Sequence, residues 1–168
     1  MRRWFTEKGR ARDTLAAFGF LFLVAVAIVL FLPVFPDSYI GRAYVVDGDS
    51  LEISGNRFRL VGIDAPEGRQ TCLRNGQVWL CGVAATRALR QKIDGRNVNC
   101  TGRAFDQFDR ILADCSINGE SLNAWMVING WAVAFGAYDR EEREARNAQR
   151  GLWASTFDDP QIWRDNHR

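Results

Sequence analysis

One histidine, His167, occurs in the chain, and no two of its four cysteines stand in a C-x-x-C pair. A zinc centre of the finger or ribbon type needs such pairs or nearby histidines, so that class is excluded. A catalytic thiol needs an activating base, and the lone His167 gives none to Cys72, Cys81, Cys100 or Cys115. His167 itself is expected to be a solvated tail residue. Charge of one sign is also missing: 22 Lys and Arg stand against 20 Asp and Glu, and a net +2 is not the basic excess that marks a non-specific nucleic-acid binder. There is no internal repeat and no low-complexity stretch. At 168 residues, with 47% hydrophobic and 25% charged, the length accommodates one compact domain and an appendage rather than two domains.

The appendage comes first. Residues 1–13 are basic on balance, and the apolar run from Leu15 to Phe35 contains no charge. About 20 apolar residues suffice to cross a bilayer as a helix. Residues 14–36 are therefore expected to be a transmembrane anchor, with Pro33 and Pro36 marking its exit. The basic tail would stay cytoplasmic and residues 37–168 would lie on the extracytoplasmic side, bound to the membrane through this helix. The competing reading is a cleaved signal peptide and a secreted domain, but the small residues at A-x-A spacing fall inside the run instead of after it. An even number of cysteines agrees with export and suggests two disulfides. Three pairings are open; Cys72 with Cys81, across a loop, and Cys100 with Cys115, on two neighbouring predicted strands, are favoured.

Residues 44–67, YVVDGDSLEISGNRFRLVGIDAPE, organise the remainder. Leu51, Ile53, Phe58 and Leu60 alternate on either side of a Ser54-Gly55-Asn56 turn, the pattern of a hairpin with one face buried. Acids sit at its ends: Asp47 and Asp49 flank a glycine where a strand begins, and Asp64 and Glu67 flank Ala65-Pro66 where the last strand stops. Proline keeps its predecessor extended and ends the ladder, which puts these carboxylates on a loop. Carboxylate, carbonyl and water oxygens are what a hard divalent cation requires. Arg59, whose planar fork matches phosphate oxygens, alternates in the same strand. Taken singly, each motif reads equally as turn chemistry.

Further along, residues 82–93 show helical spacing up to the Asp94-Gly95 breaker. Two strands are expected at 97–102 and 110–115, then a helix over 121–129 with Ser121 as N-cap and Gly130 past its end. A last helix begins at Asp139, with Asp139 and Glu142 at capping-box spacing, and runs to Gly151. Trp153, Phe157 and Trp163 are expected to seal the core.

The runs VVDGDSL, RFRLVGIDAPE, FDRILADC and GLW followed by PQIWR occur in an order that closely resembles the staphylococcal-nuclease-like (thermonuclease) family, over Tyr39 to Arg164. The resemblance implies an α+β fold: a five-stranded OB-type β-barrel plus three helices, here preceded by the N-terminal transmembrane helix. It implies a calcium-dependent phosphodiesterase acting on nucleic acid, DNA or RNA, and leaving 3′-phosphate ends. Asp49, Asp64 and the Ala65 carbonyl would hold Ca2+, and Asp47 would stand in the outer shell. Glu67 would be the general base, and Arg59 and Arg110 would hold the scissile phosphate. Phe135 and Tyr138 stand near the family's nucleotide-stacking positions. The pattern is broken at Asp109, where relatives carry a glycine before the phosphate-binding arginine; a positive φ is expected there, with a carboxylate able to draw on Arg110. A catalytically inert module of the same fold, binding nucleic acid or protein in the cell envelope, is the alternative, as is an anchored scaffold.

Overall fold

The computed structural model describes residues 37–167. The expected cytoplasmic tail and transmembrane anchor, 1–13 and 14–36, lie outside the described residues. Among the described residues no helix is long and apolar enough to cross a membrane.

The hairpin read from residues 50–60 forms as expected. Strand β2 (Ser50–Ile53) and β3 (Asn56–Leu60) pair antiparallel, with Leu51, Ile53, Phe58 and Leu60 buried. Their turn is Ser54-Gly55, both at positive φ, while Asn56 pairs with Ile53 inside the strand. Strand β1 (Asp37–Val45) joins β2 on one side and β7 (Asn97–Phe105) on the other. Next comes β8 (Ile111–Ile117), which presents Ile111, Ala113, Cys115 and Ile117 to the interior. Parallel pairing of β3 with β8 then closes a five-stranded barrel. Of the short strands, β9 (Glu120–Ser121) extends β8, and β4 (Ile63–Asp64) pairs with β10 (Val133–Ala134).

Helix α1 (Cys81–Ile93) buries Ala85, Leu89 and Ile93 in the barrel core. Helix α2 (Leu122–Ile128) adds Leu122, Met126 and Val127, with Ser121 Oγ accepting from the Ala124 N–H as its cap. The buried Asn123 accepts from the Cys115 N–H and donates to the carbonyls of Val61 and Ala113, binding this helix to the barrel wall. Both favoured disulfides are present: Cys100 and Cys115 stand opposite each other on β7 and β8, and Cys72 joins Cys81.

Five expectations need correction. The stretch between Cys72 and Cys81 is a hairpin, β5 (Cys72–Arg74) and β6 (Gln77–Trp79) around an Asn75-Gly76 turn, not a plain loop. Helix α3 (Asp139–Asn147) stops four residues short of Gly151, which instead opens a 3₁₀ turn, Gly151–Ala154. Its capping box does not form, because Tyr138 is the N-cap and Glu142 accepts from the Ala134 N–H at 2.9 Å. A fourth helix, α4 (Pro160–Asn166), exceeds the three expected; Asp159 caps it and Pro160 starts it. Trp153 and Phe157 do pack edge to face, but Trp163 lines a groove instead of the core.

Candidate active site

The acids and arginines singled out by sequence come from separate elements and meet at one groove of about 980 Å3. Asp47, Asp49, Arg59, Glu67 and Arg110 line it. Asp64 and Ala65 are buried, 1% and 4% exposed. What brings them together starts with glycine. At Gly48 a Cβ would fall 2.7 Å from the Ala65 Cβ, so only glycine lets the 47–49 turn close on the 64–67 loop.

Asp49 is the centre of this contact. Its carboxylate accepts from the Ala65 N–H (3.2 Å), from Ser50 Oγ (3.1 Å) and from Arg59 Nη1 (3.2 Å). Arg59 also reaches Asp64 Oδ1 at 2.8 Å and thereby bridges both acids. Asp47 accepts from the Asp49 N–H and makes the turn. Burial pushes the Asp49 carboxyl up to about 7; Arg59 opposes this, while Asp47 raises it further.

Glu67 stands on a braced loop. Its N–H donates to the side-chain oxygen of Gln70, whose own N–H returns to the Glu67 carbonyl. Gln70, fully buried, also donates to the Asp158 carbonyl at 2.7 Å. On the other side of the loop, a Cβ on Gly82 would come 1.7 Å from the Glu67 carbonyl oxygen, so α1 packs directly against this backbone.

Arg110 is held by Asp106, through Nε at 2.8 Å and Nη2 at 2.7 Å, and donates to Ser50 Oγ at 3.1 Å. Burial pushes the Asp106 carboxyl up, but the N–H groups of Arg110 and Phe108 and the Arg110 side chain outweigh it and leave its pKa below the ordinary value. Asp109 has φ 60°, the positive value expected there. The expected draw of its carboxylate on Arg110 is corrected: Asp106 makes that contact, and Asp109 is exposed.

Phe135 is 58% exposed and lines the groove. Tyr138 does not line it; its hydroxyl donates to Asp114 and its ring packs against the core. His167 belongs to the groove as well, stacked on Trp163 with ring centroids 4.1 Å apart, rather than standing alone in solvent.

Sequence reasoning missed Ser50, Gln70, Asp106 and Arg164. Arg164, from α4, reaches Asp64 Oδ1 (2.9 Å), Asp64 Oδ2 (2.7 Å) and Glu67 Oε1 (2.8 Å). Hydrogen bonds to Asp64 raise its pKa above an already high ordinary value. Its only sequence signal was its place in the PQIWR run.

The donor set is all oxygen: two buried carboxylates and the adjoining Ala65 backbone. Among the described residues no three Asp, Glu, His or Cys side chains cluster to hold a metal. A cation here would therefore depend on carbonyl and solvent oxygens in addition to the two acids. That mixture fits a hard ion such as Ca2+ and suits no softer metal.

Comparison with known proteins adds a separate finding. Residues 57–155 match a family model described as staphylococcal nuclease homologue. The chain is 33% identical to the succinoglycan biosynthesis protein ExoI of Rhizobium meliloti, over 68% of this chain and 64% of that protein. It is 32% identical to an uncharacterized endonuclease of Escherichia coli, over 83% of this chain and 95% of the other. With a probable staphylococcal-like nuclease of Oryza sativa subsp. japonica, identity is 36% over 67% of this chain but 30% of the relative. The chain thus spans less than two thirds of the first and third of these proteins and nearly all of the second.

Proposed function

Because the chain belongs to the staphylococcal-nuclease-like family, we propose that it is a membrane-anchored, calcium-dependent nuclease that hydrolyses phosphodiester bonds of DNA or RNA. The observation that carries this reading is Arg59, which bridges Asp49 and Asp64 at the groove that Glu67 and Arg110 also line. Asp49, Asp64 and the Ala65 carbonyl would hold Ca2+. Bound there, the ion would supply positive charge against the substrate phosphate.

The chain's own residues do the remainder. Glu67, a third exposed, can reach solvent and acts as general base, orienting and deprotonating the water that attacks phosphorus in line. Arg59 and Arg110 grip the phosphate oxygens and hold the added negative charge of the transition state. Asp47 stays in the outer shell and shapes the turn that carries Asp49. Cleavage of the bond from phosphorus to the 5′-oxygen leaves a 3′-phosphate end. Phe135 offers an exposed ring for a base, which suits single-stranded or frayed substrate. The domain division is proposed as 1–13 tail, 14–36 anchor and 37–168 nuclease domain, the last on the extracytoplasmic side or secreted; the two disulfides support export.

The similarity to a protein named for succinoglycan biosynthesis favours a second reading, an inert binding module with the same barrel. One assay decides between the two. The protein is incubated with single- and double-stranded DNA and RNA in calcium, magnesium or chelator, and the ends of any product are mapped. Cleavage in calcium that chelator abolishes, and that Glu67→Gln lowers by about 100-fold or more in kcat, is the expected result. Binding without cleavage in every metal would establish the inert module.

A further inference from the structure

Arg164, one of the cations lining the groove, has no task in this hydrolysis. Arg164 sits on α4; the segment just before that helix is tied to the Glu67 loop by the Gln70 bond to the Asp158 carbonyl, and Arg164 adds its own contacts. Its guanidinium covers Asp64 on both oxygens and takes Glu67 with the same fork. Asp64 Oδ1 already accepts from Arg59 at 2.8 Å, so with Arg164 at 2.9 Å both of its lone-pair directions are used. A divalent ion bound to Asp64 would need an oxygen that a guanidinium now occupies. It would also meet a third positive charge beside those of Arg59 and Arg110.

We propose that Arg164 is a displaceable counter-cation: it neutralises and aligns Asp64 and Glu67 while no metal is bound, and it must release them when a divalent cation binds, so that it sets the affinity of the site for the ion. The inference rests on the calcium-dependent reading above. The displacement is sterically open, since Arg164 is 32% exposed and lines the groove itself. A guanidinium fixed only for structure would be expected to lock the acids in place for the metal and raise affinity. Competition for the same oxygens predicts the opposite sign.

Calcium chloride alone, titrated calorimetrically into the chelator-stripped full chain in detergent, separates the two. Arg164→Gln should bind Ca2+ about tenfold more tightly than the wild type, within the range of coupling between two ligands of one site. Arg164→Lys keeps the charge but cannot cover three oxygens with one planar fork, so its affinity should lie between the two. Metal-free Arg164→Gln should also melt lower and gain more in Tm on adding calcium, because two carboxylates have lost their partner. Equal or weaker calcium binding by either variant overturns the proposal and leaves the nuclease reading standing. If wild type and variants alike take up no calcium, the calcium-dependent reading has failed and this proposal with it.

Discussion

Arg110 takes its direction from a carboxylate four residues back, and this separates the roles of two neighbouring acids. Asp106 grips the guanidinium, while Asp109 supplies a positive φ of 60° and remains exposed. Asp109→Gly, which keeps that backbone accessible, is expected to leave kcat/KM within about twofold at low and high salt, because an exposed charge is screened. Asp106 titrates lower in the folded protein than its ordinary value of 3.8. As the pH falls, the unfolded chain therefore takes up this proton first; the stability contributed is complete above the unfolded value and is lost as pH falls through the folded one. Urea melts from about pH 5 to pH 2 should thus show a flatter acid limb for Asp106→Asn than for the wild type. Asp49, Asp64, Glu67 and Arg59 could be picked out in the sequence because turn and proline chemistry forces carboxylates to strand ends. Arg164 could not, since its partner Asp64 lies 100 residues away and only the folded chain joins them. Asp106 was concealed differently: it stands four residues before Arg110 in a connection with no periodic pattern, and Asp109 lies directly beside the arginine.

At the level of elements, regular alternation was the readable signal and length its limit. The β2–β3 hairpin carries four buried apolar residues at period two and could be placed from sequence. The β5–β6 hairpin has the Asn-Gly turn of the same class, but its three-residue strands are too short to show a period. Helix α4 has seven residues, with an Asp cap and Pro at its start, and too few turns to display a face. Helix α3 failed its predicted box for a tertiary reason, the use of Glu142 by the Ala134 N–H of β10. The packing of α1 against the Glu67 backbone leads to a sharp expectation. Gly82→Ala must push the helix or the loop aside, and should cost about 1–3 kcal/mol of stability in denaturant melts while also lowering kcat through a displaced Glu67. The Cys100–Cys115 bridge, which joins β7 to β8, should behave otherwise: the double change to serine should cost about 2–4 kcal/mol, with kcat preserved below the melting transition.

For the molecule as a whole, the decisive feature is the pairing that shuts the barrel. Phe58 faces Ile111 and Arg59 faces Leu112 in a parallel ladder between strands far apart in the chain, whereas β2–β3 and β7–β8 are joined by short turns. Ladders between distant segments carry the larger loop-closure cost and form late in folding. Arg59 lies within the late ladder and Arg110 directly before its second strand. The two arginines therefore come together at one groove only after that seam has zipped. Time enters the function in this way: a refolding chain acquires its hairpins and helices first and its capacity to cut last, and hydrolysis should lag behind far-ultraviolet circular dichroism in a refolding course with the disulfides kept intact. A half-assembled chain emerging beside nucleic acid would then be harmless to it, and the onset of cleavage would mark the instant at which the ring of strands becomes continuous.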